Sequence, residues 1–252
     1  MTLSLHRARV RGSGATPTIL TLVLLTLADS EAADNTALDA LVRAYPRQLA
    51  AYDATDLIWR DGTRMPLSDG QPSILDQLRL RYPVGISPVA LYPRSDAGRA
   101  RNRAFFDKMY GNCWRGEVAP SLVPVVWLPR SWGRTVRITS INGIAQRLAE
   151  VSEELEALPS SVRRYAYPSA GTYNCRAVAD TGEPSMHSWG AAIDLNSTYA
   201  NYWLWPRGTP ANAVPAEIIE IFERHGFIWG GKWSHYDTMH FEYRPELIDG
   251  AR

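Results

Sequence analysis

Lysine is almost missing from this 252-residue chain: Lys108 and Lys232 are the only two, and arginine supplies the rest of the positive charge. With 27 basic and 26 acidic residues the formal net charge is +1, so no bulk positive field exists to hold nucleic acid. The shortage of lysine also excludes an enzyme class. A penicillin-binding type of hydrolase needs Ser-x-x-Lys, and the residues three before the two lysines are Phe105 and Trp229. No HExxH occurs, so the helical zinc-protease signature is absent. No period of 20–50 residues recurs, which excludes solenoids and repeat arrays.

Long hydrophobic runs are lacking too. Ile19–Ala28 is mostly apolar but about ten residues long, half of the roughly 20 that cross a bilayer. A basic leader (His6, Arg7, Arg9, Arg11) precedes it and the small residues around Ala32 follow, which is the layout of a secretory signal peptide cut after Ala32. An uncleaved anchor or an unstructured tail is the alternative. The expectation is an exported protein of the periplasm or cell envelope, with no membrane span in the mature chain. Cysteine is limited to Cys113 and Cys175. In an oxidising compartment the pair suits one disulfide, whereas a reduced Cys175 is a candidate nucleophile.

What the chain does contain reads as an α+β protein: a small antiparallel sheet with flanking helices, preceded by a helical or irregular N-terminal extension. Three stretches follow, with residues 1–32 as signal peptide, 33–139 as the extension packed on the core, and 140–252 as the core domain itself. Helices are expected near Ala37–Tyr52 and Arg99–Tyr110, and prolines 120, 124 and 129 suit edge strands. Ile141, Ile144, Leu148, Val151, Leu155 and Leu158 recur at steps of 3 and 4, which predicts a core helix capped by Ser140 and stopped by Pro159. Its glutamates, Glu150, Glu153, Glu154 and Glu156, read as mainly solvated. A second helix runs from about Pro215, as a first-turn residue, to His225, capped by Gly226. Short strands are expected at 191–195, 227–229 and 238–243, the last with Met239, Phe241 and Tyr243 on one face and Thr238, His240 and Glu242 on the other.

Outside the leader, histidine is confined to positions 187, 225, 235 and 240. His225, at a helix end, suits the terminal carbonyls, and His235 reads as a loop residue near a site. His187 and Asp194 can share a metal only if the chain turns between them, which Gly190 permits. Asp194 is then either a ligand within an apolar run or a solvent-facing aspartate at a strand end. His240 supplies a third donor, and Asp237, three residues earlier, comes toward the same side on a turn.

The run Ser185-Met186-His187-Ser188-Trp189-Gly190-Ala191-Ala192-Ile193-Asp194 resembles the S-x-H-x-x-G-x-A-x-D pattern of the M15 peptidases, which include D-alanyl-D-alanine carboxypeptidases and L-alanyl-D-glutamate endopeptidases. Trp229–Trp233 and Asp237–Glu242 are similar to matching segments of the endolysin-like branch, and Gly171–Arg176 to the segment with the family's arginine. The resemblance, over roughly 140–247, implies one Zn2+ on His187, Asp194 and His240. It implies Asp237 as acid/base, where the carboxypeptidase branch has glutamate, and Arg176 on the oxyanion or a substrate carboxylate. Ser185, Tyr173, Trp233, His235 and Glu242 become substrate-binding or outer-shell candidates. Lys232, where many endolysin relatives have an acid, and Met239, where proline is frequent, depart from the pattern. The implied activity is hydrolysis of peptidoglycan stem peptides by a carboxypeptidase or endopeptidase. Two alternatives stand beside it: a zinc-stabilised module that binds cell-wall peptide without cleaving it, and a Cys–His hydrolase using Cys175.

Overall fold

The computed structural model describes residues 18–80, 82–85, 96–178, 181–205 and 214–249. The basic leader lies outside them, and the apolar run falls within helix α1 (Thr18–Ala44), as does the expected cleavage point at Ala32. Among the described residues no helix is long and apolar enough to cross a membrane.

Among the described residues, three small antiparallel sheets and seven α-helices form an α+β fold. A meander of β1 (Leu49–Tyr52), β2 (Asp56–Trp59) and β3 (Arg64–Pro66) follows α1. The expected helix Ala37–Tyr52 is therefore corrected: it stops at Ala44, because Pro46 cannot continue a helix, and Leu49–Tyr52 is a strand. Next come α2 (Ile74–Arg79) and α3 (Arg103–Tyr110). The latter starts four residues later than expected because Asn102 caps it, its side chain accepting from Phe105 N at 2.9 Å. β4 (Leu122–Trp127) and β5 (Arg134–Thr139) form a two-stranded ribbon in which Pro124 is tolerated on an edge.

The periodic helix is α4 (Ile144–Glu156), preceded by a 3-10 turn at Ile141–Gly143. Ser140 makes no capping hydrogen bond; left-handed Gly143 stands at the helix start instead, and Pro159 begins the next helix, α5 (Ser160–Arg163). Glu156 is buried rather than solvated, since its carboxylate accepts from the backbone of Arg130 and Ser131. The second predicted helix is α6 (Ala216–Arg224), with Pro215 one position outside it as the cap residue. The C-terminal sheet has the order β6 (Ala192–Asp194), β8 (His240–Tyr243), β7 (Phe227–Trp229), and α7 (Pro245–Asp249) follows. β8 is central, and all four of its residues are buried on both faces.

One apolar cluster runs through these elements, from Leu38 and Tyr45 of α1 through Phe105, Trp127, Leu148 and Trp189 to Phe222 and Phe241. Phe222 stacks on Phe241 at 4.0 Å between ring centroids, locking α6 onto β8. Each such side chain contributes about 1.5–3 kcal/mol by leaving water. The indole N–H of buried Trp127 donates to Ala166 O at 2.9 Å, so its burial strands no donor.

Candidate metal centre

Each candidate ligand is placed by a local rule. His187 sits in a 3-10 turn, Met186–Trp189, whose cap Ser185 accepts from His187 N at 3.4 Å. Gly190 ends the turn at φ +64°, and a Cβ there would lie 2.6 Å from Leu122. Both the left-handed backbone and the tight packing thus require glycine. The chain then reverses into β6, which ends on Asp194. Antiparallel register sets Asp194 directly opposite His240 on β8.

The result is three donor atoms facing one another. His240 Nδ1 lies 2.9 Å from Asp194 Oδ1. His187 Nε2 lies 3.1 Å from both Asp194 Oδ1 and His240 Nδ1. Both rings have their other nitrogen occupied on the outer side. His187 Nδ1 bonds to the Thr172 carbonyl, and His240 Nε2 lies 3.1 Å from Glu242 Oε2. With protons only on those outer nitrogens, the inner atoms are three acceptors in mutual contact, an arrangement relieved either by a second proton on His240 or by a cation that replaces it. Two imidazoles and a carboxylate spaced at about 3 Å suit a tetrahedral ion with bonds of about 2.0–2.1 Å. Among the described residues this is the one His/Cys/Asp/Glu group with that convergence.

The electrostatics agree with a cation site. Burial works against the charged form of Asp194, but the two imidazoles outweigh it and hold the carboxyl well below its usual range. Burial lowers His240, yet its hydrogen bonds to the Asp194 and Glu242 carboxylates overcome this and raise the imidazole to about 9. Asp237 moves opposite to Asp194. Burial and the negative charge of Asp194 push its carboxyl up to about 6, although His240 and His187 oppose this. The turn from Asp237 O to His240 N (3.2 Å) brings it beside the ligands, and its Oδ1 is buried with no hydrogen-bond partner.

Asp237 and His240 line a cavity of about 290 Å3 with Arg176, Ser185, Trp233 and His235. His235 bonds through Nδ1 to Asp96 and packs edge-on against Trp203, 4.5 Å between centroids. Trp233 lies 5.4 Å from the His240 ring. Tyr173 is elsewhere, packed with Cys175 against Cys113, Val118 and Leu122. Glu242 is fully buried behind His240 and is not part of the cavity wall. Cys113 and Cys175 form a disulfide with Cα atoms 5.7 Å apart, which removes Cys175 as a nucleophile and anchors the chain next to Arg176. His225 does not serve helix carbonyls: its Nε2 pairs with Glu154 Oε1 at 2.6 Å. Lys232 is buried away from the centre, bonded to Glu223 and to Pro83 O.

Two parts of the wall were not anticipated from sequence. Tyr202, Trp203 and Trp205 reach the cavity because Tyr202 bridges to Asp237; the aromatic run Tyr202–Trp205 was the available signal. Gly98, Arg99 and Arg101 come from far upstream and carry no motif. Gly98 passes so close to Trp233 that a Cβ would lie 2.3 Å from the indole.

No curated protein and no solved structure matches the chain. Residues 179–243, which contain His187, Asp194, Asp237 and His240, match the family model described as D-alanyl-D-alanine carboxypeptidase, and that segment is therefore similar to the M15 peptidases.

Proposed function

We propose that this protein is a zinc-dependent peptidase that hydrolyses a peptide bond in the stem peptide of peptidoglycan. The observation that carries the reading is the meeting of His187 Nε2, Asp194 Oδ1 and His240 Nδ1 beside a buried carboxyl, Asp237, whose Oδ1 has no partner. The match of residues 179–243 to D-alanyl-D-alanine carboxypeptidases supports a peptidase and a wall-derived peptide.

His187, Asp194 and His240 would hold the ion, which when bound supplies Lewis acidity and makes water nucleophilic near neutral pH. Asp237, with a carboxyl near 6, takes the proton from the attacking water and returns it to the leaving amine. Arg176, exposed at the cavity, binds the carbonyl oxygen as it gains charge or the substrate's carboxylate, which its planar fork suits. Trp203 and Trp233 form apolar walls that limit water around the scissile bond. A pure binding module has no use for a partnerless carboxyl poised near neutrality, so the catalytic reading is preferred. Export to the periplasm or envelope after loss of residues 1–32 is part of the proposal, supported by the order of basic leader, apolar run and small residues in the sequence.

Incubating the protein with purified muropeptides and weighing the fragments tests this. The expected result is cleavage of one stem-peptide bond, abolished by a chelator and restored by Zn2+. Intact muropeptides after incubation with zinc-loaded, folded protein would sink the proposal. N-terminal sequencing of the exported protein checks the leader, with Ala33 as the expected first residue.

A further inference from the structure

Behind His240 lies a buried charged network drawn from three separate parts of the chain. Glu242 accepts from Arg101 Nη2 at 2.5 Å and from Arg244 Nη1 at 3.3 Å. Arg244 Nε donates to Glu246 Oε1 at 2.5 Å, and Glu246 Oε2 accepts from the Tyr45 hydroxyl at 2.6 Å. All four charged residues are buried, two of each sign. Such a network is a poor source of stability, because apolar side chains of similar volume serve as well or better. Its geometry relative to the metal centre is what sets it apart.

Arg244 divides its nitrogens between Glu246 and Glu242, and the bond from Arg101, at 2.5 against 3.3 Å, is the shorter of the two that hold Glu242 and the one on the oxygen facing His240. Arg101 is itself held by its neighbour. Asn102 N donates to Gln77 Oε1 at 2.8 Å, and Asn102 Nδ2 donates to Asp69 O and Pro72 O at 3.0 and 3.1 Å.

We propose that Arg101 is a positioning residue of the metal centre. It holds Glu242 so that the carboxylate accepts a hydrogen bond from His240 Nε2–H, which keeps the proton there and leaves Nδ1 as the donor atom toward His187 and Asp194. This rests on the reading that those three side chains hold a divalent ion. Outer partners of this kind set ring orientation and ligand basicity, and losing one weakens metal binding by about 10–100-fold. Arg101 lies outside residues 179–243, so the centre depends on chain that precedes the family match.

The test is competition for Zn2+ between metal-free protein and a chromogenic chelator. Wild type is compared with Arg101→Gln, Glu242→Gln and the double variant. Arg101→Gln is expected to bind Zn2+ at least about 10-fold more weakly. In the Glu242→Gln background the same change is expected to add nothing, because Arg101 acts through Glu242. Cobalt loading gives a second readout, with d–d bands displaced in Arg101→Gln. Wild-type affinity in Arg101→Gln, or an equal loss with and without Glu242, overturns the proposal. Arg101→Lys, which keeps the buried charge, carries the test if Arg101→Gln does not fold. It too is expected to bind Zn2+ more weakly than wild type, since an ammonium lacks the guanidinium fork. Wild-type affinity in Arg101→Lys assigns the effect to charge alone and overturns the positioning role. Wild type that takes up no Zn2+ defeats the metal reading itself, a result distinct from these.

Discussion

Asp237 and His240 are neighbours whose titrations are both shifted upward, and each makes a prediction. Burial and Asp194 raise the Asp237 carboxyl to about 6, so activity should climb as pH passes upward through that region. A bound dication displaces this limb to lower pH. Asp237→Asn keeps the shape and removes the base; it should lower kcat by about 10²–10⁴-fold while zinc content stays at one per chain, read by turnover and elemental analysis. Because the folded carboxyl holds its proton above the unfolded value of 3.8, its contribution favours folding at low pH and is lost as pH rises to about 6. Metal-free Asp237→Asn should therefore melt higher than metal-free wild type at pH 8. His240 stays protonated to about 9, against the lowering effect of burial, through Asp194 and Glu242. Ion uptake at neutral pH must then expel that proton, and affinity should fall about tenfold for each pH unit below 9. Calorimetry in buffers of different ionisation enthalpy should find about one proton released per ion; none released would contradict it.

At the scale of elements, the hinge between the 3-10 turn and β6 makes the site. Gly190→Ala must hold φ near +64° and press a methyl into Leu122, so about 1–3 kcal/mol of stability should be lost. Zinc affinity should fall with it, because the His187-to-Asp194 reversal is the part strained. Chemical denaturation and chelator competition on one sample read both. The elements differ in how plainly their residues announced them. α4 was legible because Leu148, Val151 and Leu155 fall on one buried face at helical spacing, and α6 because Pro215 and Gly226 mark its two ends. β1 was misread as helix because Leu49–Tyr52 is four residues long, with no period of its own. Glu156 was misread as solvated because its partners, the N–H groups of Arg130 and Ser131, come from the loop after β4.

For the whole molecule, the Cys113–Cys175 bond spans 62 residues and joins the chain after α3 to the segment bearing Arg176. Loop-closure entropy for that span is worth about 4 kcal/mol, an upper figure for a native disulfide. Replacing both cysteines by serine should lower the melting temperature, and it should raise KM more than it lowers kcat, since the arm presenting Arg176 loses its anchor. Thermal unfolding and steady-state kinetics of the double variant check this.

The sequence by itself was enough for the α+β class, the helices that became α4 and α6, the short C-terminal strands and the likeness of 185–194 to a metal-binding motif, because each is written in local spacing or boundary residues. Tertiary structure alone decided that Asp194 and His240 stand opposite each other in an antiparallel pair. It also decided that Glu242 faces inward to Arg101 and that Tyr202, Trp203 and Gly98 close the cavity. The physical reason is that a hydrogen bond or ion pair between residues 141 positions apart costs chain entropy that only the packed core offsets, and no local pattern encodes which distant partner the core will supply.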